Sequence, residues 1–202
     1  IQYPRLYYSF NFQHVDHLPY PMQGLLAQVQ LGRSGIGSSI NLWELHAKAL
    51  KLWPIAPKWS WGLGLYAGWK SPTSQPYVNR RFLGYGNQFL SGYEYYVMDG
   101  LSGGLARTSI TREWLRHTIL IPYKKDKEPI RIPIRLMSRA FLHGGYVHDP
   151  QVSLGGRLAN EWQYSGGLGL DILLFYDLLF RLEYSVNRFG ENGLFLHRKY
   201  PF

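Results

Sequence analysis

The side chains able to do chemistry are seven histidines, thirteen Asp and Glu residues, and many hydroxyls spread along 202 residues. None of the histidines has the H-E-x-x-H spacing that places two ring nitrogens on one metal. Asp99 and Asp171 belong to no Ser–His arrangement that would activate a nucleophile, and no Gly-rich loop is placed to cradle a phosphate. His143 reads as a wall residue before it reads as a ligand. With no cysteine, disulfides and thiolate metal sites are excluded. The sequence therefore argues against an enzyme and calls for no cofactor or metal. The chemistry left is charge pairing. Glu44, Lys48, Lys70, Arg107, Glu113, Asp171, Arg181 and Glu183 each fall on the polar side of an alternating segment. Such residues fill a hydrated interior and pair with one another, or else line a conduction path.

Alternation at period two is the dominant pattern, and it implies strands that must position these charges. Leu178, Phe180, Leu182, Tyr184 and Val186 share one face, opposite Leu179, Arg181, Glu183 and Ser185. Upstream, Leu168, Leu170, Ile172 and Leu174 oppose Gly167, Gly169, Asp171 and Leu173, so the two segments predict a tight hairpin. Trp59, Trp61, Leu63, Leu65, Ala67 and Trp69 form an apolar stripe with Trp at both ends, facing away from Ser60, Gly62, Gly64, Tyr66, Gly68 and Lys70. Similar segments start at Leu6, Leu25, Trp43 and Ala106. A further strand spans 134–146, and the last spans 193–202. The total is nine strands. Turns are expected at 16–21, 54–57 and 124–129. The long connection 71–104 carries six glycines along with Phe82, Tyr85, Phe89, Tyr93, Tyr95 and Tyr96, a composition suited to packing against a surface.

Seven Trp, sixteen Tyr and ten Phe, with twenty-two Gly, suit an all-β chain whose strands meet lipid on one face and water on the other. No run of about 18 apolar residues exists, which excludes helical spans, but a lipid-spanning strand needs only about 9–11 residues. Trp59, Trp61 and Trp69 have the placement of interfacial girdle aromatics. The expected fold is a transmembrane antiparallel β-barrel of the bacterial outer membrane, a single unit over residues 1–202. A net charge of +9 with scattered Lys and Arg fits phosphate-rich lipid at the membrane surface better than nucleic acid. An odd strand count leaves an unmatched edge near Leu6, and the chain opens at Ile1 without an initiator Met. Both lead to the expectation of a processed or longer chain with preceding strands.

The segments 81–114 and 139–202 resemble the C-terminal half of the BamA/TamA-type outer-membrane insertase and secretion barrels. The loop motif is carried by Phe82, Gly84 and Gly86, followed by Ser91-Gly92-Tyr93, with Glu113 on the next strand. The strand after that reads Phe141-Leu142-His143-Gly144-Gly145. The closing hairpin and a terminal strand ending in Tyr200 and Phe202 complete the ordered series. The resemblance implies that these nine strands are the C-terminal part of a sixteen-stranded barrel, with 71–104 an extracellular loop directed into the lumen. It further implies help with the insertion or translocation of proteins into or across the outer membrane. Implied partners are membrane lipid and lipopolysaccharide, client or partner outer-membrane proteins, and other subunits of a complex. Tyr200 and Phe202 would form the strand signal for barrel insertion. In the family a loop Arg pairs with wall carboxylates. Here Ser91 replaces the Arg and His143 replaces the Asp, while Glu113 remains. The expected loop position, 84–96 near Glu113 and His143, then depends on packing without an Arg–carboxylate bridge. The alternative is a structural or anchoring barrel, or a passive pore, on the same scaffold.

Overall fold

A computed structural model describes residues 4–35, 41–86, 88–121, 130–151, 158–175 and 177–198. Tyr200, Phe202 and the charged stretch 124–129 lie outside the described residues. The chain is all-β. In order, the strands are β1 (Arg5–Val15), β2 (Gly24–Ser34), β3 (Leu42–Ala56), β4 (Trp59–Ser71), β5 (Arg81–Leu83), β6 (Met98–Asp99), β7 (Ser102–Ile121), β8 (Ile130–His148), β9 (Gln163–Leu174), β10 (Leu178–Asn187) and β11 (Asn192–His197). Nine of them form one antiparallel sheet in the order β1-β2-β3-β4-β7-β8-β9-β10-β11, and β5 with β6 forms a small hairpin inside the long connection. The nine are the strands expected from the sequence. Among the described residues nothing pairs with the outer edge of β1 or of β11, so the sheet is not closed.

Strand limits differ from the alternation where alternation fails. The β7–β8 ladder shifts register between Glu113 and Leu115, and the extra residue breaks the period that would have carried the strand to Ile121. At its other end β7 starts on Ser102, Gly103 and Gly104, which offer no apolar face to read. The 16–21 stretch is not a tight turn. Eight residues, 16–23, separate β1 from β2, and Tyr20 within them is buried.

Tyr20 also measures the curvature. Its hydroxyl donates to Asp171 Oδ2 at 2.5 Å, although Asp171 lies on β9, five strand positions from β2. Laid flat, five spacings would separate them by about 24 Å. The sheet must therefore curl so that its polar face becomes concave. Burial follows the same division. On β10 Arg181, Glu183 and Ser185 are 1%, 1% and 0% exposed, whereas Leu182, Tyr184 and Val186 are 40%, 47% and 39% exposed. On β4 Ser60 and Lys70 are buried while Trp61, Leu65 and Trp69 are exposed. The buried side mixes ion pairs and polar residues with apolar ones such as Leu26, Leu50, Leu52 and Leu179, while the outward side is largely apolar and exposed, unlike a water-soluble sandwich.

Candidate functional site

The connection between β4 and β7 folds back onto the concave face, and this loop-and-wall contact is the candidate site. Its apolar centre combines Phe82, Leu83, Leu90, Tyr93 and Met98 from the loop with Leu105 of β7 and Val147 of β8. Phe82 lies against bare backbone, since a Cβ at Gly68 would come within 2.8 Å of its ring. Gly84 turns the chain at φ +88, and a side chain there would meet the Tyr96 carbonyl at 2.3 Å. Gly86 follows in the same turn, beside the Tyr85–Gln88 bridge. Tyr85 donates to Asp99 Oδ1 at 2.7 Å; burial, then this carboxylate, raises its pKa above the ordinary phenol value.

Ser91 and His143 are brought together. The Ser91 backbone N–H donates to His143 Nδ1 at 3.3 Å, so this nitrogen is the unprotonated one of the ring. Gly92 adopts φ +84, which favours glycine, and its carbonyl accepts from Asn187 Nδ2 at 2.9 Å. Tyr93 is buried with its hydroxyl 3.2 Å from Gln163 Oε1 and 3.3 Å from the Tyr164 carbonyl, and it accepts from the Arg188 N–H at 3.3 Å. Burial is the main cause that raises the Tyr93 pKa. Residues 91–93 are thus held by β8, β9, β10 and the turn after β10.

Glu113 is not part of this contact. It opposes Met137 in the ladder, whereas His143 opposes Arg107, six residues further along β7 or about 20 Å. Its carboxylate is occupied by Arg116, with Nε to Oε1 at 2.8 Å, and by Arg135, with Nε to Oε2 at 2.9 Å. Arg135 Nη1 also donates to the Tyr20 carbonyl at 3.2 Å, which joins this group to the Tyr20–Asp171 bond. Asp171 in turn receives a bidentate pair from Arg181, with Nε to Oδ1 at 2.7 Å and Nη2 to Oδ2 at 2.9 Å. The concave face therefore carries two tiers: an ionic one near the β1–β2 connection and a loop-packed one beyond it.

Charged side chains also hold the loop at its base: Lys70 and Arg107, which alternation places on the inner face, and the pair Arg80 and Asp149, for which the sequence offered no signal. Arg80 donates to Asp149 Oδ2 through Nε at 3.0 Å, an arginine–carboxylate bridge eleven residues before Ser91. Lys70 Nζ donates to the carbonyls of Asn79 and Arg81 at 2.8 and 2.7 Å. Arg107 Nη2 donates to the Phe89 carbonyl at 2.6 Å. Among the described residues, one trio of side chains has the spacing of metal ligands: Glu94, Glu183 and His197, with ligating atoms all within 4.8 Å of one another. These residues come from a loop and two strands, so no sequence motif could reveal them.

The convex face supplies the aromatics. Trp59, Trp61 and Trp69 lie on it together, Trp61 stacking on Trp53 with ring centroids 4.6 Å apart and donating to Thr108 Oγ1 at 2.8 Å. Trp59 and Trp114 flank the Arg112 guanidinium at 5.1 and 3.8 Å. The sequence matches no family model and no curated protein. What can be argued about function rests on this geometry.

Proposed function

We propose that the nine strands are part of the wall of a transmembrane β-barrel in the bacterial outer membrane, of the BamA/TamA type, and that it assists the insertion or translocation of other proteins. The outward-facing apolar side chains support the lipid-facing wall, and the family type rests on the sequence resemblance. A face of exposed Leu, Val, Tyr and Trp has no stable place in water, whereas buried ion pairs behind it suit a hydrated interior. From Trp59 to Trp69 the strand advances ten residues, about 33 Å, or about 25 Å of height at a tilt near 40°. That height agrees with the apolar band of an outer-membrane barrel, and the Trp residues then sit at its two borders. Lipid and lipopolysaccharide contact the convex face.

The edge of β1 supports the insertion role. Among the described residues, the eleven of Arg5–Val15 pair with β2 on one side only. Unpaired N–H and C=O groups are costly in hydrocarbon, so that edge demands another strand, from the barrel's own remainder or from a client. The loop filling the concave face favours a second reading, an anchoring barrel within a complex, over an open pore.

A photo-reactive residue in place of Tyr8, introduced into the complete protein in cells, separates the two. Insertion predicts capture of newly made outer-membrane proteins that disappears when their synthesis is stopped. A single unchanging partner before and after the stop would contradict it and leave the anchoring barrel.

A further inference from the structure

We infer that Glu94, Glu183 and His197 bind one first-row divalent cation of the zinc class, which staples the long loop to the last two strands of the sheet. Glu94 comes from the loop just past Tyr93, Glu183 from β10 and His197 from β11. Their ligating atoms lie within 4.8 Å of one another, and His197 Nε2 is 3.5 Å from Glu94 Oε1. Zinc bonds of about 2.1 Å in a tetrahedron place neighbouring ligands about 3.4 Å apart. One pair is therefore already near the required separation, and the others lie within 4.8 Å.

The second observation is a lack of hydrogen-bonding partners. Both Glu94 oxygens, Glu183 Oε1 and His197 Nε2 are buried, and none has a hydrogen bond among the described residues. Glu183 is 1% exposed, so its free oxygen has no recourse to bulk water. Buried polar atoms without hydrogen bonds are rare; His197 Nε2 and Glu94 Oε1 face each other as an ion pair, Glu183 Oε1 has no such partner, and one cation would serve all three residues. Glu183 Oε2 is held by Arg139, which leaves Oε1 as the ligand atom and fixes its direction, as supporting hydrogen bonds do in metal sites. One imidazole with two carboxylates suits zinc better than calcium or magnesium, which take oxygen alone. Three protein ligands leave a fourth position for water. The site does not depend on the proposed membrane role.

The test uses the full chain purified in detergent, stripped with a chelator and titrated with zinc chloride alone. One zinc per chain is expected by calorimetry and elemental analysis. Glu94→Gln and His197→Gln should each weaken binding tenfold or more, whereas His117→Gln, an exposed position, should leave it unchanged. Zinc should also slow proteolytic cutting of the loop in the parent and not in Glu94→Gln. Circular dichroism reports whether the sheet is intact. If His197→Gln loses it, Glu94→Gln, outside every strand, decides alone. Absence of stoichiometric zinc, equal binding by Glu94→Gln, or displacement by equimolar calcium would overturn the proposal and leave the membrane reading standing.

Discussion

Strands β10 and β1 have the same alternating pattern and lie in opposite surroundings. On β10 each inward polar residue from Arg181 to Asn187 is buried, covered by its neighbours β9 and β11 and by the loop. On β1 Leu6, Tyr8, Phe10 and Phe12 alternate equally well with Tyr7, Ser9, Asn11 and Gln13, yet ten of its eleven residues are exposed on one face or the other. Alternation decides which side of a strand a residue takes. Burial then depends on what lies over that side, and nothing within β1 encodes its cover. The contrast also locates the stability of the molecule: β10 is held by a paired ionic tier, whereas the polar face of β1 carries exposed side-chain bonds such as Gln28 to Ser9 at 3.3 Å.

The largest break in this contrast is expected at Arg181. Arg181→Ala strands the buried Asp171 carboxylate with only Tyr20 as a direct partner, and removing one member of a buried pair costs about 3–5 kcal/mol. Asn11→Ala on β1 should change stability by no more than about 0.5 kcal/mol. Denaturant unfolding in detergent or bilayers measures both, and equal losses would remove the distinction. Next comes Leu182→Arg, on the other face of the same strand, which under the membrane reading costs about 2–4 kcal/mol near the midplane. In that reading the penalty appears in bilayers, and a loss below about 0.5 kcal/mol there would count against lipid contact.

A smaller effect is expected where the loop meets the wall. Gly92→Val forces a branched residue to φ +84, a strain of about 1–3 kcal/mol, and displaces the carbonyl that Asn187 holds. Limited proteolysis should show faster cutting in the loop while the nine-stranded sheet persists. Unchanged cutting would mean that 91–93 are not what seats the loop. The smallest effect concerns the β1–β2 connection. Burial, then Arg135, holds the His17 pKa below its ordinary value of 6.5. The folded state favours the neutral ring, so its stability is full above 6.5 and falls as pH drops below that value. Once the intrinsic pH dependence of amide exchange is divided out, protection at 16–23 should fall modestly from pH 7 to pH 5 in the parent and less in His17→Gln.

Much of this was legible in the sequence. Seven of the nine strands of the large sheet follow from period two; Arg135 and Arg139 blur it in β8, and β11 is too short to show it well. The hairpin of β5 and β6 was not, since three and two residues carry no period. That 84–96 should approach His143 followed from the resemblance, but the bond from the Ser91 N–H to the ring did not, since Glu113 was the expected partner. Glu113 could be assigned to the inner face, but its height along the wall depends on register. The Arg80–Asp149 bridge and the Glu94–Glu183–His197 trio join residues whose proximity arises only when the sheet curls and the loop folds in, so neither leaves a trace in local spacing.

In the proposed membrane arrangement the convex face meets lipid and the concave face meets water. Nitroxide labels at Leu65 and Leu182, both exposed on the convex face, and at Lys48, on the concave face, test it directly in bilayers. The account predicts high collision rates with dissolved oxygen at Leu65 and Leu182, and with a water-soluble nickel chelate at Lys48. Ready access of the nickel chelate to Leu65 and Leu182 would contradict it.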